Sequence, residues 1–322
     1  MNEIAKLSLD IYKGVATNFE GKDANEVLRL ALKEATGMNQ EEMDFYAYQE
    51  NKLKIFRVLS ETITPVLNEK LAQTIGQFAE IKNLAFGDTT VFDIENHELF
   101  EVANVADGTG NLYKQRIDNG KLPITMGTFG VAIYDEFYRF LAGRVDWTKV
   151  VNKVVKSFEN KIAKEISNAL FGAYNNLDSS LKYTGSFVED SVLAVVREVE
   201  ARYGSAMIVG TKAAVSKIKP EYVGEADKAQ HNQLGYLATF QGYDVIALAQ
   251  GKEVDGTYSL PVGDLLVLPA SGEKPVKVVM EGTAIVLDHQ NTQGDLSIEH
   301  TFIQKAGVAV PIANQYGIIK LS

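Results

Sequence analysis

Few side chains in this sequence could do chemistry. The 322 residues include four histidines (His97, His231, His289 and His300) and no cysteine. Without thiols there is no disulfide staple, thiolate zinc site, iron–sulfur cluster or cysteine nucleophile. His97-Glu98-Leu99-Phe100-Glu101 comes close to the zinc-protease motif, in which two histidines four apart share one helix face. Glu101 stands where the second histidine must be, and the segment reads as strand and loop, so a solvated acidic stretch is expected. Asp288-His289 and Glu299-His300 would make a metal site only if neighbouring strands brought all four together, and nothing in their spacing requires that. Ser179-x-x-Lys182 and Ser216-x-x-Lys219 match a short Ser/Lys nucleophile pattern without its supporting context. Gly108-x-Gly110 lacks the third glycine, the preceding strand and the following helix of a dinucleotide fingerprint. No phosphate-loop pattern occurs. The expectation is a protein that is not an enzyme, with no catalytic residue, cofactor or metal.

Composition narrows the class further. The chain is 46% hydrophobic and 23% charged, which excludes wholesale disorder and collagen-like repeats. Asp and Glu outnumber Lys and Arg by 42 to 32, a net charge of -10. That balance argues against a basic, phosphate-coating surface. The lysines of one helix (Lys149, Lys153, Lys156, Lys161 and Lys164) are diluted by Glu159 and Glu165 and read as a solvated face. No stretch reaches the ~20 apolar residues of a membrane span, and no signal peptide opens the chain. A soluble protein of a reducing cytoplasm is expected.

Periodicity supplies the elements. Residues 1–87 read as helices in series. Asp23 and Glu26 mark one start, Leu53, Phe56, Leu59 and Ile63 share a face, and Pro65 should break or kink that helix. From Thr89 to Tyr134 the helical period disappears. Val91–Ile94 and Thr128–Tyr134 are β-prone, with turn signals at Asp107-Gly108-Thr109-Gly110-Asn111 and at Asp118-Asn119-Gly120. A ribbon of this length is hard to explain unless it lies against something else, because a two-stranded hairpin is marginal alone in water. From Asp146 to Tyr174 runs the clearest helix, about 40 Å long at 1.5 Å per residue. Ser186-x-x-Glu189 looks like a capping box, and Thr211 like the cap of a short helix. Ala206–Val209, Tyr243–Leu248, Asp264–Leu268, Val276–Met280, Leu296–Glu299 and Ile318–Leu321 read as strands.

That order of elements resembles the major capsid proteins of tailed bacteriophages, with their Hong Kong 97-type fold. Ile133–Phe137 with Gly143–Trp147 looks like the lead-in to the family's spine helix. Ala206–Thr211 looks like the opening of its axial domain. Leu234-Gly235-Tyr236 with Gly242–Ile246 resembles its glycine–strand segment, and Leu296–Glu299 through Val308-Ala309-Val310 its closing strands. The resemblance implies an α+β chain: an N-terminal helical arm (1–88), an extended β-hairpin loop (89–134) and a peripheral domain (135–186) with spine helix 146–174. An axial α/β domain (187–270) and returning strands (271–322) would follow. The chain departs from some members in showing no long N-terminal scaffold extension, so a separate scaffolding protein is expected. A short scaffold or cleavable arm up to Gly37 is the alternative, and no lysine or asparagine is assigned to a covalent cross-link.

The function this implies is self-assembly into an icosahedral head shell around a double-stranded DNA genome. The protein would be part of the virion and would assemble in the bacterial cytoplasm. Its partners would be its own copies in pentamers and hexamers, with a scaffolding protein, a portal and a maturation protease. DNA would be enclosed without sequence-specific binding. The loop, about Val91 to Met126, should lie on a neighbouring subunit through Asp107, Gly108, Gly110, Asn111, Asp118 and Gly120. Arm and ribbon should project, giving a radius of gyration clearly above the ~20 Å of a compact chain of this length. Two alternatives stay open: an encapsulin-like nanocompartment with the same fold, and a cytoplasmic α+β enzyme whose Asp288, His289, Glu299 and His300 converge in a pocket.

Overall fold

The computed structural model describes residues 3–13, 24–36, 45–76, 78–88, 91–94, 100, 102, 114–116, 120–136, 147–252, 256–270, 274–290, 297–311 and 316–321. Three helices lead: α1 (Glu3–Tyr12), α2 (Ala24–Thr36) and α3 (Phe45–Thr74). Strands β1 (Ala79–Leu84), β2 (Val91–Ile94), β3 (Gly120–Pro123) and β4 (Gly127–Glu136) follow. Next comes the spine helix α4 (Trp147–Gly172), then β5 (Lys182–Gly185), α5 (Glu189–Tyr203), β6 (Met207–Thr211), α6 (Lys212–Val215) and α7 (Glu225–Leu234). The chain ends in strands: β7 (Thr239–Phe240), β8 (Tyr243–Leu248), β9 (Asp264–Leu268), β10 (Val276–Gln290), β11 (Ser297–Ala309) and β12 (Gly317–Leu321).

Two sheets and a ribbon organise the strands. The first sheet has the order β1-β10-β11-β4, the second β5-β12-β9-β6-β8-β7, and β2 pairs only with β3. The spine helix lies on the first sheet, with Lys161 placed over the Phe129 ring of β4 at 5.5 Å. Its apolar face (Val151, Val154, Val155, Phe158, Ile162, Ile166 and Leu170) is buried, as the three- and four-residue spacing dictates. One continuous core joins this face to α3, to both sheets and to α5. At its centre Tyr316 is fully buried and donates to the Leu170 carbonyl at 3.2 Å. Desolvation pushes its phenol up to about 12.

Several expectations need correction. The leading helices do not reach away from the body. Helices α1 and α2 pack on α3, burying Ala5, Ser8 and Leu28, and α3 packs on α4 and β10. The Thr74 hydroxyl donates to Glu159 of the spine at 2.6 Å, and the Ala284 amide of β10 donates to the Thr64 hydroxyl at 3.0 Å. Nor does Pro65 end its helix, which runs unbroken from Phe45 to Thr74. Proline removes only the one amide bond to the Glu61 carbonyl four residues back. Buried Ile63, Val66 and Leu67 on both sides of it hold the helix against the body. Leu53, placed on the apolar stripe by spacing, is 72% exposed.

Residues 79–84, read as the end of the helical stretch, form β1, whose strand identity comes from long-range parallel pairing with β10. Glu189 opens α5, but its cap is Val188, and no Ser186 box forms. Glu189 instead accepts from the Glu221 amide and the Gln241 side chain. Thr211 does cap α6, accepting from the Ala214 amide at 3.2 Å.

Candidate assembly interface

Strand β10 alternates Val276, Val278 and Met280 on one face with Lys277, Val279 and Glu281 on the other, because successive side chains of a strand point to opposite sides. Both sets are buried. A lysine and a glutamate on a buried face need polar partners, and the root of the β2–β3 ribbon is built around them. Lys277 sits opposite Glu80 of β1 in register, and their charged groups meet at 2.7 Å. Lys82, two residues on, reaches Glu80 at 3.3 Å. Phe92 of β2, only 1% exposed, lies beneath both lysines, with ring-to-ammonium distances of 4.0 Å for Lys82 and 5.5 Å for Lys277.

A second cluster stands one turn of chain away. Glu281 accepts from the Gly87 amide at 2.9 Å and faces Lys305, its cross-strand partner on β11, at 3.4 Å. Lys305 lies 5.2 Å from the Phe86 ring. Gly282 adopts φ +66, in the left-handed region that favours glycine, where the β10–β11 register shifts. A Cβ there would run into the Phe86 ring. Gly282→Val should therefore cost more than 1 kcal/mol from the backbone alone, read as a lower urea midpoint. On the return side Ile124, Thr125 and Met126 cross Gly307 of β11 so closely that any Cβ there would meet Met126 sulfur at 2.9 Å.

Charge sets a pH range for these contacts. Burial raises the Glu80 carboxyl, but the Lys277 hydrogen bond and ammonium outweigh it, so Glu80 ionises below its ordinary 4.5. The Gly87 amide, opposed by desolvation and helped by Lys305, does the same for Glu281. A depressed carboxylate stabilises the fold above its unfolded value and loses that contribution as pH falls through the folded one. Urea unfolding should therefore show stability falling as pH drops below about 4.5, with a shallower fall in a Glu80→Gln, Glu281→Gln double variant.

Among the described residues, the main contacts of β2 and β3 are with each other. Val91 is 47% exposed, Phe100 53% and Val102 92%. Of the six residues expected at the interface, Asp107, Gly108, Gly110, Asn111 and Asp118 lie outside the described residues. Gly120 is described: exposed, it heads β3 opposite Ile94 and so belongs to a strand instead of a turn. Composition and periodicity point to none of the root residues. The available signals were a lone lysine inside the apolar run Val276–Met280 and a glycine interrupting a strand.

Among the described residues no enzyme-like constellation assembles. Asp288 pairs with His300 and His289 with Glu299 across β10 and β11, which puts the two pairs on opposite faces of the sheet. An apolar cleft between α3, α4 and the second sheet is lined by residues including Phe78, Ile166, Leu170 and Leu266, and neither Glu299 nor His300 is part of its lining. The Ser216 hydroxyl donates to the Ala213 carbonyl and Lys182 lies over the Tyr174 ring, so both are engaged apart from any nucleophile pair. His97, Glu98, Leu99 and Glu101 lie outside the described residues. Among the described residues no group of three His, Cys, Asp or Glu could hold a metal, and no helix is long and apolar enough to cross a membrane.

Two sheets joined through one core, a spine helix across the first of them and a ribbon leaving its edge define the capsid-shell class of fold. The similarity to solved structures is consistent with this. The chain aligns with "Capsid of native GTA particle computed with C5 symmetry" at 14% identity and TM-score 0.53, covering 77% of this chain and 90% of that one. For "Asymmetric unit of bacteriophage PhiM1 mature capsid" the values are 11%, 0.52, 76% and 86%. For "Microbacterium phage Oxtober96" they are 11%, 0.50, 75% and 89%. No curated protein matches. Residues 9–320 match one family from end to end, described as "SPbeta prophage-derived putative capsid protein YonB", and the chain belongs to it. It is a structural protein of a phage capsid, and its place is the virion. A cargo compartment and an enzyme find no support.

Proposed function

We propose that this chain is the subunit of an icosahedral head shell around double-stranded DNA, built from pentamers and hexamers. The observation that carries this reading is the ribbon, which is anchored at its root by buried charges and whose strands β2 and β3 pair chiefly with each other. Heterologous contacts repeated around a rotation axis close rings, and rings of five and six close a shell.

In this reading the first sheet with α3 and α4 is the peripheral part, and the second sheet with α5, α6 and α7 is the axial part around which capsomers form. The excursion between Leu84 and Gly127 lies on the next subunit, with Asp107, Gly108, Gly110, Asn111, Asp118 and Gly120 among its contacts. A scaffolding protein, a portal and a maturation protease complete the assembly line, and no catalytic step falls to this chain. The net charge of -10 suits a wall that does not adhere to packed DNA. Sedimentation velocity of the purified chain, alone and with its scaffold, tests the reading. Fast, closed particles are expected, and a lone ~35 kDa species under every condition would contradict it.

A further inference from the structure

We infer that the two clamps at the ribbon's root, Glu80–Lys277–Phe92 and Glu281–Lys305–Phe86, fix the angle at which the ribbon leaves the body, and that this angle selects the curvature at which copies close. The inference rests on the shell reading proposed above and adds positioning residues to it.

The geometry argues for a fixed angle. Both clamps join the outgoing chain to β10, and they act at either end of the turn between β1 and β2. Phe92 is held by two ammonium groups that share one carboxylate. Phe86 is held between Lys305 and the Gly282 backbone, with the neighbouring Gly87 amide tied to Glu281. The returning chain crosses Gly307 without room for a methyl group. A ribbon tied at the outgoing and returning strands cannot swivel about either one.

The chemistry of the clamps fits this role better than a stabilising one. A buried ion pair gains little over an apolar pair of similar volume, and its better-supported use is to specify one arrangement among several. Lys277 is 1% exposed, whereas the Glu80 side chain keeps 37% of its surface. The body could therefore do without the charge, because Glu80 can return to water. Small angular changes matter at this root. Ten extended residues span about 33 Å, so a ~10° swing moves their far end by ~6 Å, roughly twice a hydrogen-bond length.

The test uses the full chain, which has no cysteine to remove before labelling. Spin labels at Lys121→Cys on the exposed ribbon and Ala194→Cys on the exposed face of α5 report the angle by dipolar spectroscopy. The parent should give one narrow distance. Lys277→Met and Phe92→Leu should broaden or shift it under conditions where circular dichroism shows the body still folded, and Lys277→Arg should keep it narrow. On assembly the parent should yield particles of one diameter, and the first two variants a mixture of diameters or unclosed sheets. An unchanged distance in both variants, or uniform shells of parental diameter from both, would overturn the inference. Should a variant fail to fold, Phe86→Leu at the more exposed clamp repeats the measurement. A parent that forms no particles would instead count against the shell reading, while the distance measurement still decides the clamps.

Discussion

A chain in which residues 95–119 are replaced by an Asn-Gly turn joining Ile94 to Gly120 is expected to fold as the parent does and to form no closed particles. The substitution keeps Phe92, the β2–β3 pairing and both root clamps, so β10 stays covered. The continuous core runs through α3, α4, α5 and the two sheets, and the described residues among those deleted, Phe100 and Val102 included, are exposed. Asn-Gly suits the two-residue hairpin turn whose twist matches its strands. Circular dichroism and the thermal midpoint should therefore change little, while electron micrographs should show no shells. If the shortened chain still closes into shells of parental size, the ribbon has no part in assembly.

The second large effect is on stability. Ile162, at the middle of the spine helix, has no exposed surface and belongs to the core that α3, α4 and the sheets share. Ile162→Ala is expected to cost about 2–5 kcal/mol, the lost transfer energy plus the cavity left behind, and Ile162→Val about 0.5–1.5 kcal/mol. Against a total of ~5–15 kcal/mol the first is a large fraction. Urea unfolding would show it as a lower midpoint at constant slope. A loss below ~1 kcal/mol for Ile162→Ala would mean that the spine is not the packed centre of the body.

Legibility in the sequence followed the range of the interactions. The spine helix could be read because its apolar spacing is local and its burial one-sided. Strands β4, β6, β8 and β9 could be read because β-branched and apolar residues cluster between turn signals. Strand β1 could not, because Ala79–Leu84 becomes a strand only through its parallel partner almost 200 residues later. Pro65 misled because what carries α3 through it, the packing of Ile63, Val66 and Leu67 against the body, is absent from any window around it. The inward fold of α1 and α2 was missed for a related reason. An amphipathic stripe shows that a helix needs a partner without showing whose surface supplies it.

The candidate site was legible only in outline. Turn signals and alternating β-prone runs marked a ribbon between Val91 and Met126. The residues that anchor it are scattered: Glu80 and Phe86 before it, Phe92 within it, Lys277, Glu281 and Lys305 far beyond. Their meeting depends on two cross-strand registers, Glu80 with Lys277 and Glu281 with Lys305, which no local pattern encodes.

Electron cryomicroscopy of particles assembled from the full chain is the most direct test, because it shows where each ribbon goes. Density for residues 95–119 of every copy should rest on the adjoining subunit's surface, with the root still clamped to its own β10. Density turned back onto the copy it belongs to, leaving the contacts between subunits to other surfaces, would contradict the idea that sister molecules complete this chain.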